Sequence, residues 1–545
     1  MLAKPTEPLA PQVFTRNATG LVRDWSPVDM FIYSWLGGPG VWSPIMIFVL
    51  IYGTFAFPAA NVPLAAILAV VFCIPIYLVY SFLGAAMPRT GGDYVFNTRI
   101  LPTALGVAIM FPVMVYTQQW NYWNAYAIAT LGLAPLAQLY GNAGFANWIS
   151  GYPGNLILAV VLILIAGLIM ARGMRFYALI QRVFFIITMI SVVTFVAIVV
   201  GSTQAQFAQA FNSFEGSILG HPDAYNYVIN SAVQAGYNPS GGSSSSVFWS
   251  TLGLMPFVVG TVIFSMQGII NLGEVKKASS VKHVSVAVVG GGIAAGGTLA
   301  ILFYVILNSF GQNFMGALSY HFNTGTQVAS AFGSPPFFTF LAALLANHPL
   351  LVYIMTIGVI CGVFLFFPGI YIYGTRYLFA MSFDRFLPSW IAHVNDRTHA
   401  PIAAIGIMAL AQILWSLLFS FTTIGVFVSS VIFVTLTGMT LTCVSAILFP
   451  YLKSNKDTYQ ASPLAKYKIG SLPLVVFVGI LGVVVIGVFD YYFATVPALG
   501  AQSPTSIAAI IASFVIGAIA YYIAKAYRQS KGINLNWAYA QIPPE

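Results

Sequence analysis

Once the chain is cut at its apolar runs, all 21 lysines and arginines fall on one side. No motif constrains the fold as strongly. A helix crossing a bilayer needs about 20 mostly apolar residues. Twelve such runs can be drawn, at 28–57, 62–87, 103–134, 153–171, 178–201, 248–273, 284–310, 349–375, 401–420, 424–450, 472–493 and 505–525. Basic residues then occupy alternate connections. Lys4, Arg16 and Arg23 precede the first run; Arg89 and Arg99 follow the second; Arg172, Arg175 and Arg182 follow the fourth. Lys276, Lys277 and Lys282 follow the sixth, and Arg376, Arg385 and Arg397 the eighth. Lys453, Lys456, Lys466 and Lys468 follow the tenth, and Lys525, Arg528 and Lys531 the twelfth. The pattern predicts an all-α integral membrane protein of 12 transmembrane helices, multi-pass in the cell (plasma) membrane, with both termini cytoplasmic. A miscounted pair of helices would scatter these charges onto both sides.

Only 6% of the 545 residues are charged and 59% are apolar, too few charges to build a water-soluble surface. The formal net charge of +9 does not imply nucleic acid, because the bases form short clusters beside apolar runs, where they set topology and meet anionic lipid. Cys73, Cys361 and Cys443 lie inside apolar runs and read as packing residues. The first 26 residues are polar and contain prolines, so no cleavable signal peptide is expected.

The outward loops, about 202–247 and 311–348, contain Ser, Asn, Gln and aromatic residues with Glu215 and Asp223 as their only carboxylates. An acidic exterior, which would protonate a carboxylate surface, accounts for such scarcity; so does plain low-complexity composition. Gly241-Gly242-Ser243-Ser244-Ser245-Ser246 reads as a flexible linker into the sixth run.

Two runs carry internal breaks. The first reads Trp35-Leu36-Gly37-Gly38-Pro39-Gly40-Val41-Trp42, and three glycines with a proline cannot hold a regular helix. At membrane depth the freed backbone groups need protein, water or a ligand, so the break marks a candidate binding site; a kink or close helix crossing is the plainer alternative. The sixth reads Gly260-Thr261-Val262-Ile263-Phe264-Ser265-Met266-Gln267-Gly268. Breaks at matching positions of two five-helix halves are the mark of an inverted repeat. The expected organisation is a segment 1–26, a first repeat 27–201 with discontinuous helix 1, an outward loop 202–247, and a second repeat 248–450 with discontinuous helix 6. A cytoplasmic loop 451–471, two extra helices within 472–525 and a tail 526–545 complete it.

These residues also carry a resemblance. Gly38-Pro39-Gly40-Val41-Trp42 resembles the helix 1 break of amino acid permeases of the amino acid, polyamine and organocation transporter superfamily. Ala85-Ala86-Met87-Pro88-Arg89-Thr90-Gly91-Gly92-Asp93-Tyr94-Val95 resembles that family's Pro-Arg/Lys-Ser/Thr-Gly-Gly-Asp/Glu-Tyr signature after helix 2. Asn271-Leu272-Gly273-Glu274-Val275-Lys276 is similar to its helix 6 ending, and the segments Arg376–Met381, Asp384–Pro388 and Val394–Thr398 resemble its stretch after helix 8. The matches run in order from about residue 20 to 450.

The resemblance implies a secondary active transporter moving amino acids by alternating access, with a zwitterion site at mid-membrane. Exposed amides of the helix 1 break would hold the carboxylate, and carbonyls of both breaks the ammonium. Half-helix ends supply such groups without a charged side chain. On this reading Gly37, Gly38, Pro39, Gly40 and Val41 surround the substrate with Thr261, Phe264, Ser265 and Gln267. The third run adds Tyr116-Thr117-Gln118-Gln119-Trp120-Asn121-Tyr122-Trp123-Asn124, whose four amide side chains cannot all face lipid. Trp120, Asn121 and Asn124 are thus candidates for an outer vestibule or gate, or cross-link helices. Asp93 and Glu274 are candidate partners for loop arginines in an inner gate.

Coupling departs from relatives. Some members carry a helix 5 Lys in place of a sodium ion, where this chain has Thr188; sodium-dependent relatives use hydroxyl residues in helix 8, where it reads Phe364-Leu365-Phe366-Phe367-Pro368-Gly369-Ile370. A proton is the more natural coupling ion, with exchange and uniport open. The six histidines show no metal-ligand spacing, no catalytic constellation is visible, and Gly290-Gly291-Gly292 reads as a packing face, so no enzyme, metal or cofactor is expected. Polyamine or organic-cation transport and a non-transporting amino acid sensor are the alternatives. The expected partners are the substrate and membrane lipid, not nucleic acid.

Overall fold

The computed structural model describes residues 20–37, 40–241, 246–332, 337–422, 428–496 and 504–540. Among them, nine helices are long and apolar enough to cross a membrane. Large apolar side chains such as Leu168, Val193, Val484 and Ile516 point outward from these helices, as lipid contact requires. The protein is a multi-pass membrane protein.

The first run starts where the local chemistry says it should. Ser26 caps the helix Pro27–Ile32 in a capping box with Asp29, and Pro27 takes the first position, where no amide proton is needed. Asp29 also accepts two bonds from Arg182, at 2.6 and 2.8 Å, which ties this end to the fifth run. The helix then widens into a π-helix, Tyr33–Gly37, and a new helix begins at Pro44–Ile47. Gly38 and Pro39 lie outside the described residues.

The sixth run changes winding instead of opening. An α-helix Val247–Val262 passes directly into a 3-10 helix Ile263–Ile270. Such a switch from four-residue to three-residue bonding releases a carbonyl. The Val262 carbonyl accepts from the Tyr77 hydroxyl at 2.5 Å. The third run departs from expectation too: its helix Thr103–Thr117 is interrupted at Gln118-Gln119 before Trp120–Ile128 resumes.

Around the two irregular runs, Val62–Ala86 packs against Val281–Phe310 and Val247–Val262. Met174–Val200 packs on Pro349–Phe364, Gly154–Ala171 on Ile402–Phe421, and Val428–Leu448 on both Thr103–Thr117 and Leu474–Thr495. Glycines permit the closest approaches: a Cβ on Gly291 would meet Ser34 Cβ at 2.5 Å, and one on Gly292 the Tyr77 ring at 2.5 Å. At the end away from the bases, the helices Gln204–Leu219, Ala224–Gln234 and Gln312–Thr324 form a cap held by aromatic contacts. Its core includes Phe207 on Phe310 (4.5 Å) and Tyr225 on Phe314 (4.7 Å). At the basic end a two-stranded hairpin, Lys468–Ile469 with Leu472–Pro473, precedes the eleventh run.

Candidate functional site

Gly40 sits at φ +64°, a conformation glycine adopts without strain. A Cβ there would lie 2.0 Å from Phe366 Cζ in the eighth run. One turn away, a Cβ on Gly369 would come within 2.6 Å of the Gly37 carbonyl oxygen. The Tyr33 hydroxyl donates to the Gly369 carbonyl at 3.3 Å. The break of the first run therefore lies directly against the eighth, with no room for side chains at either glycine.

Beside this contact is a narrow cavity of about 20 Å³. The first run contributes Ser43 and Pro44, the third Trp120 and Asn124, the sixth Phe264 and Gln267, and the eighth Phe366 and Ile370. Trp120 meets Phe264 edge to face, with ring centroids 6.3 Å apart. Among the described residues, no charged side chain lines the cavity. Pro44 also borders a larger cleft of about 550 Å³ whose other walls include Phe48, Trp123, Tyr152 and Asn323. That cleft lies at the end opposite the bases.

A chain of carboxamides leads away from the small cavity. Gln118 Nε2 donates to the Met114 carbonyl at 3.1 Å, and its oxygen accepts from Gln412 Nε2 at 3.0 Å. Gln412 Oε1 in turn accepts from Asn121 Nδ2 at 2.8 Å, and Asn121 Oδ1 from Asn124 Nδ2 at 3.0 Å. Because a carbonyl can only accept, the Met114 contact fixes the direction of every later bond. Asn124 is thereby left with its oxygen, an acceptor, and one remaining N–H to offer the cavity.

The basic end is shut by buried polar contacts. Arg376 grips Glu274 through two bonds of 2.8 Å, with both side chains 2% exposed. Arg99 pairs with Asp384 at 2.5 Å, and Asp384 also accepts from the Tyr94 hydroxyl at 3.1 Å. Removing one partner of such a buried pair costs about 3–5 kcal/mol. Backbone bonds close the same end: Gly91 N–H donates to the Ile270 carbonyl at 2.8 Å, and Trp25 N–H to the Glu274 carbonyl at 3.0 Å. Asp93 is not paired with an arginine as expected; its carboxylate accepts from the Tyr80 hydroxyl at 2.9 Å and from the Tyr377 hydroxyl.

Of the residues singled out in the sequence, Phe264, Gln267, Trp120 and Asn124 meet at the cavity, with Gly40 against its Phe366 wall. Gly37 packs beside Gly369. Val41, Thr261 and Ser265 are buried but do not line it. Asn121 cross-links the third run to the ninth. Glu274 and Asp93 belong to the closed basic end. Ser43, Pro44, Phe366 and Ile370 were missed. The Phe364–Ile370 stretch was read only for its lack of hydroxyls, although its aromatic content and Pro368-Gly369 were visible in the same line.

An uncharged cavity between a broken helix and a rewound one, in a multi-pass membrane protein, suits a membrane permease. The chain belongs to the amino acid permease family, whose family model matches residues 41–523. Membership in that family indicates a transporter of amino acids rather than an enzyme. No curated protein matches it.

Proposed function

We propose that the protein is a secondary active transporter that carries an amino acid across the plasma membrane by alternating access, with 12 spans and both termini cytoplasmic. The observation that carries this reading is a narrow cavity of about 20 Å³, walled by the first, third, sixth and eighth runs and bordered at Pro44 by a wide cleft of about 550 Å³. The closed basic end and the open opposite cleft correspond to an outward-facing state.

Helix pairing supports a five-plus-five inverted repeat. Exchanging runs 1–5 with 6–10 turns the fifth–eighth packing into the tenth–third, and the first–seventh into the sixth–second. The second–seventh and fourth–ninth pairs map onto themselves. All of these pairs are in contact, as a pseudo-two-fold axis demands.

The substrate's carboxylate lies toward Gly37 and Gly40, and its side chain enters among Trp120, Phe264 and Phe366 as these rings part to widen the narrow cavity. Its ammonium meets acceptors, of which Asn124 Oδ1 is one and break carbonyls are others. Since no carboxylate lines the cavity, an additional positive charge would go unpaired, which disfavours polyamines. Equilibrium binding of labelled amino acids and polyamines to purified wild type and Gln267→Ala tests the reading. Saturable binding of one amino acid, weakened by the substitution, is expected. Saturable binding of polyamines alone would overturn it.

A further inference from the structure

The segment Gly92–Ile100 lies outside the apolar runs, yet Asp93 is 3% exposed. It joins three elements. Tyr80 of the second run donates to one carboxylate oxygen at 2.9 Å, and Tyr377 of the eighth donates to the other. The preceding turn is wedged between the sixth and eighth runs, because a Cβ on Gly91 would meet Ala380 Cβ at 2.5 Å and one on Gly92 the Ile270 Cα at 3.0 Å. Whatever changes at Asp93 is therefore felt by both walls of the inner end.

The same helix face that lines the cavity reaches this acid. Phe366, Ile370, Tyr373 and Tyr377 follow one another at intervals of four, three and four residues on the helix Phe366–Phe383, which places them on one side. The Tyr373 and Tyr377 hydroxyls are 3.2 Å apart. Tyr373, three residues beyond the cavity-lining Ile370, and Tyr377 thus place two hydroxyls between the cavity wall and the carboxylate, over a rise of about 10 Å from residue 370 to residue 377.

We propose, building on the transport reading, that Asp93 is a proton-binding site, loaded through Tyr377 and Tyr373, whose protonation releases the inner end during transport. The chemistry is one proton added to a carboxylate, with no other bond made. As an anion, Asp93 accepts from both tyrosines. Once protonated, one of its oxygens becomes a donor, so the tyrosine facing it must turn its own hydrogen elsewhere and accept instead, and charge-assisted bonds give way to weaker neutral ones. Tyr377 can turn to Tyr373, and Tyr80 has Thr442 Oγ1 at 3.4 Å. The clamp across the second run, the Gly91-Gly92 turn and the eighth run loosens accordingly.

The surrounding groups fit this role. Tyr80, Tyr373 and Tyr377 face the acid from the second and eighth runs, and Cys443 of the tenth lies close to Tyr80. The buried arginines at this end are engaged elsewhere, Arg376 with Glu274 and Arg99 with Asp384. Burial pushes the Asp93 carboxyl up to about 6, against the opposing pull of the Tyr377 and Tyr80 hydrogen bonds.

Proteoliposomes with an entrapped pH dye test the inference, given a substrate that gives counterflow. Wild type should acidify the lumen as substrate enters, and Asp93→Asn should lose that signal. Tyr373→Phe, which keeps the acid but cuts the ladder, should slow acidification. Substrate entry in wild type without acidification would overturn the proton site and leave the transport reading standing; absence of counterflow would instead remove the transport reading. Acidification persisting in folded Asp93→Asn would overturn the proton site, as would unchanged acidification in Tyr373→Phe should the first variant not fold.

Discussion

Gly40 and Phe366 occupy one space: the glycine's α-carbon carries no substituent where the phenyl ring fills the gap, and a Cβ would stand 2.0 Å from its tip. The break of the first run and the wall of the eighth are therefore fitted at one residue. Gly40→Val should abolish uptake, because both its positive φ and the ring oppose a β-branched side chain. Expression should stay near wild type. Normal uptake by this variant would separate the break from the site.

Gln412 holds the carboxamide chain together without touching the cavity. Replacing it with Leu strands Gln118 Oε1 and leaves Asn121 Nδ2 only the Phe367 carbonyl at 3.4 Å, so that the Asn121–Asn124 pair loses its anchor. Each unsatisfied buried polar group costs about 1–3 kcal/mol, so thermal stability should fall. The freed Asn124 should also raise KM about tenfold, the equivalent of about 1.4 kcal/mol. A loss of stability with unchanged KM would reduce the chain to a structural cross-link.

Glu215 on the outer cap supplies a pH dependence with a definite sign. Burial pushes its carboxyl up to about 7 from 4.5, so the folded protein holds this proton more tightly than the unfolded chain does. Stability contributed by the neutral acid is present below about 4.5 and is lost as pH rises through about 7. Melting temperatures of wild type should therefore decline over that window, and Glu215→Gln should flatten the slope. Equal slopes in the two proteins would contradict the assignment.

Orientation is open to a chemical check, since Cys73, Cys361 and Cys443 are all buried. New cysteines at Ser217 and at Ser471 occupy exposed positions on opposite ends. An impermeant maleimide applied to intact cells should label the first and not the second. The reverse pattern would invert the topology.

How much of this was legible beforehand depends on what each residue needs. The apolar runs and their basic flanks are local properties, so the membrane fold was readable directly. The helix 1 break was readable because glycine and proline act on their own backbone. By contrast, the sixth run stays wound because Tyr77, 185 residues away in sequence, takes its freed carbonyl. The tyrosines around Asp93 and the Gln412 bridge are likewise tertiary pairings. The contact of Phe366 with Gly40 is a tertiary pairing of the same kind.

The most direct test of the whole account is counterflow in proteoliposomes across a panel of labelled amino acids. Selective accumulation of one label against its unlabelled counterpart, lost in Gly40→Val, is the result expected. Binding of the same amino acid without counterflow, in correctly inserted protein, would contradict alternating access and leave a sensor on a permease fold.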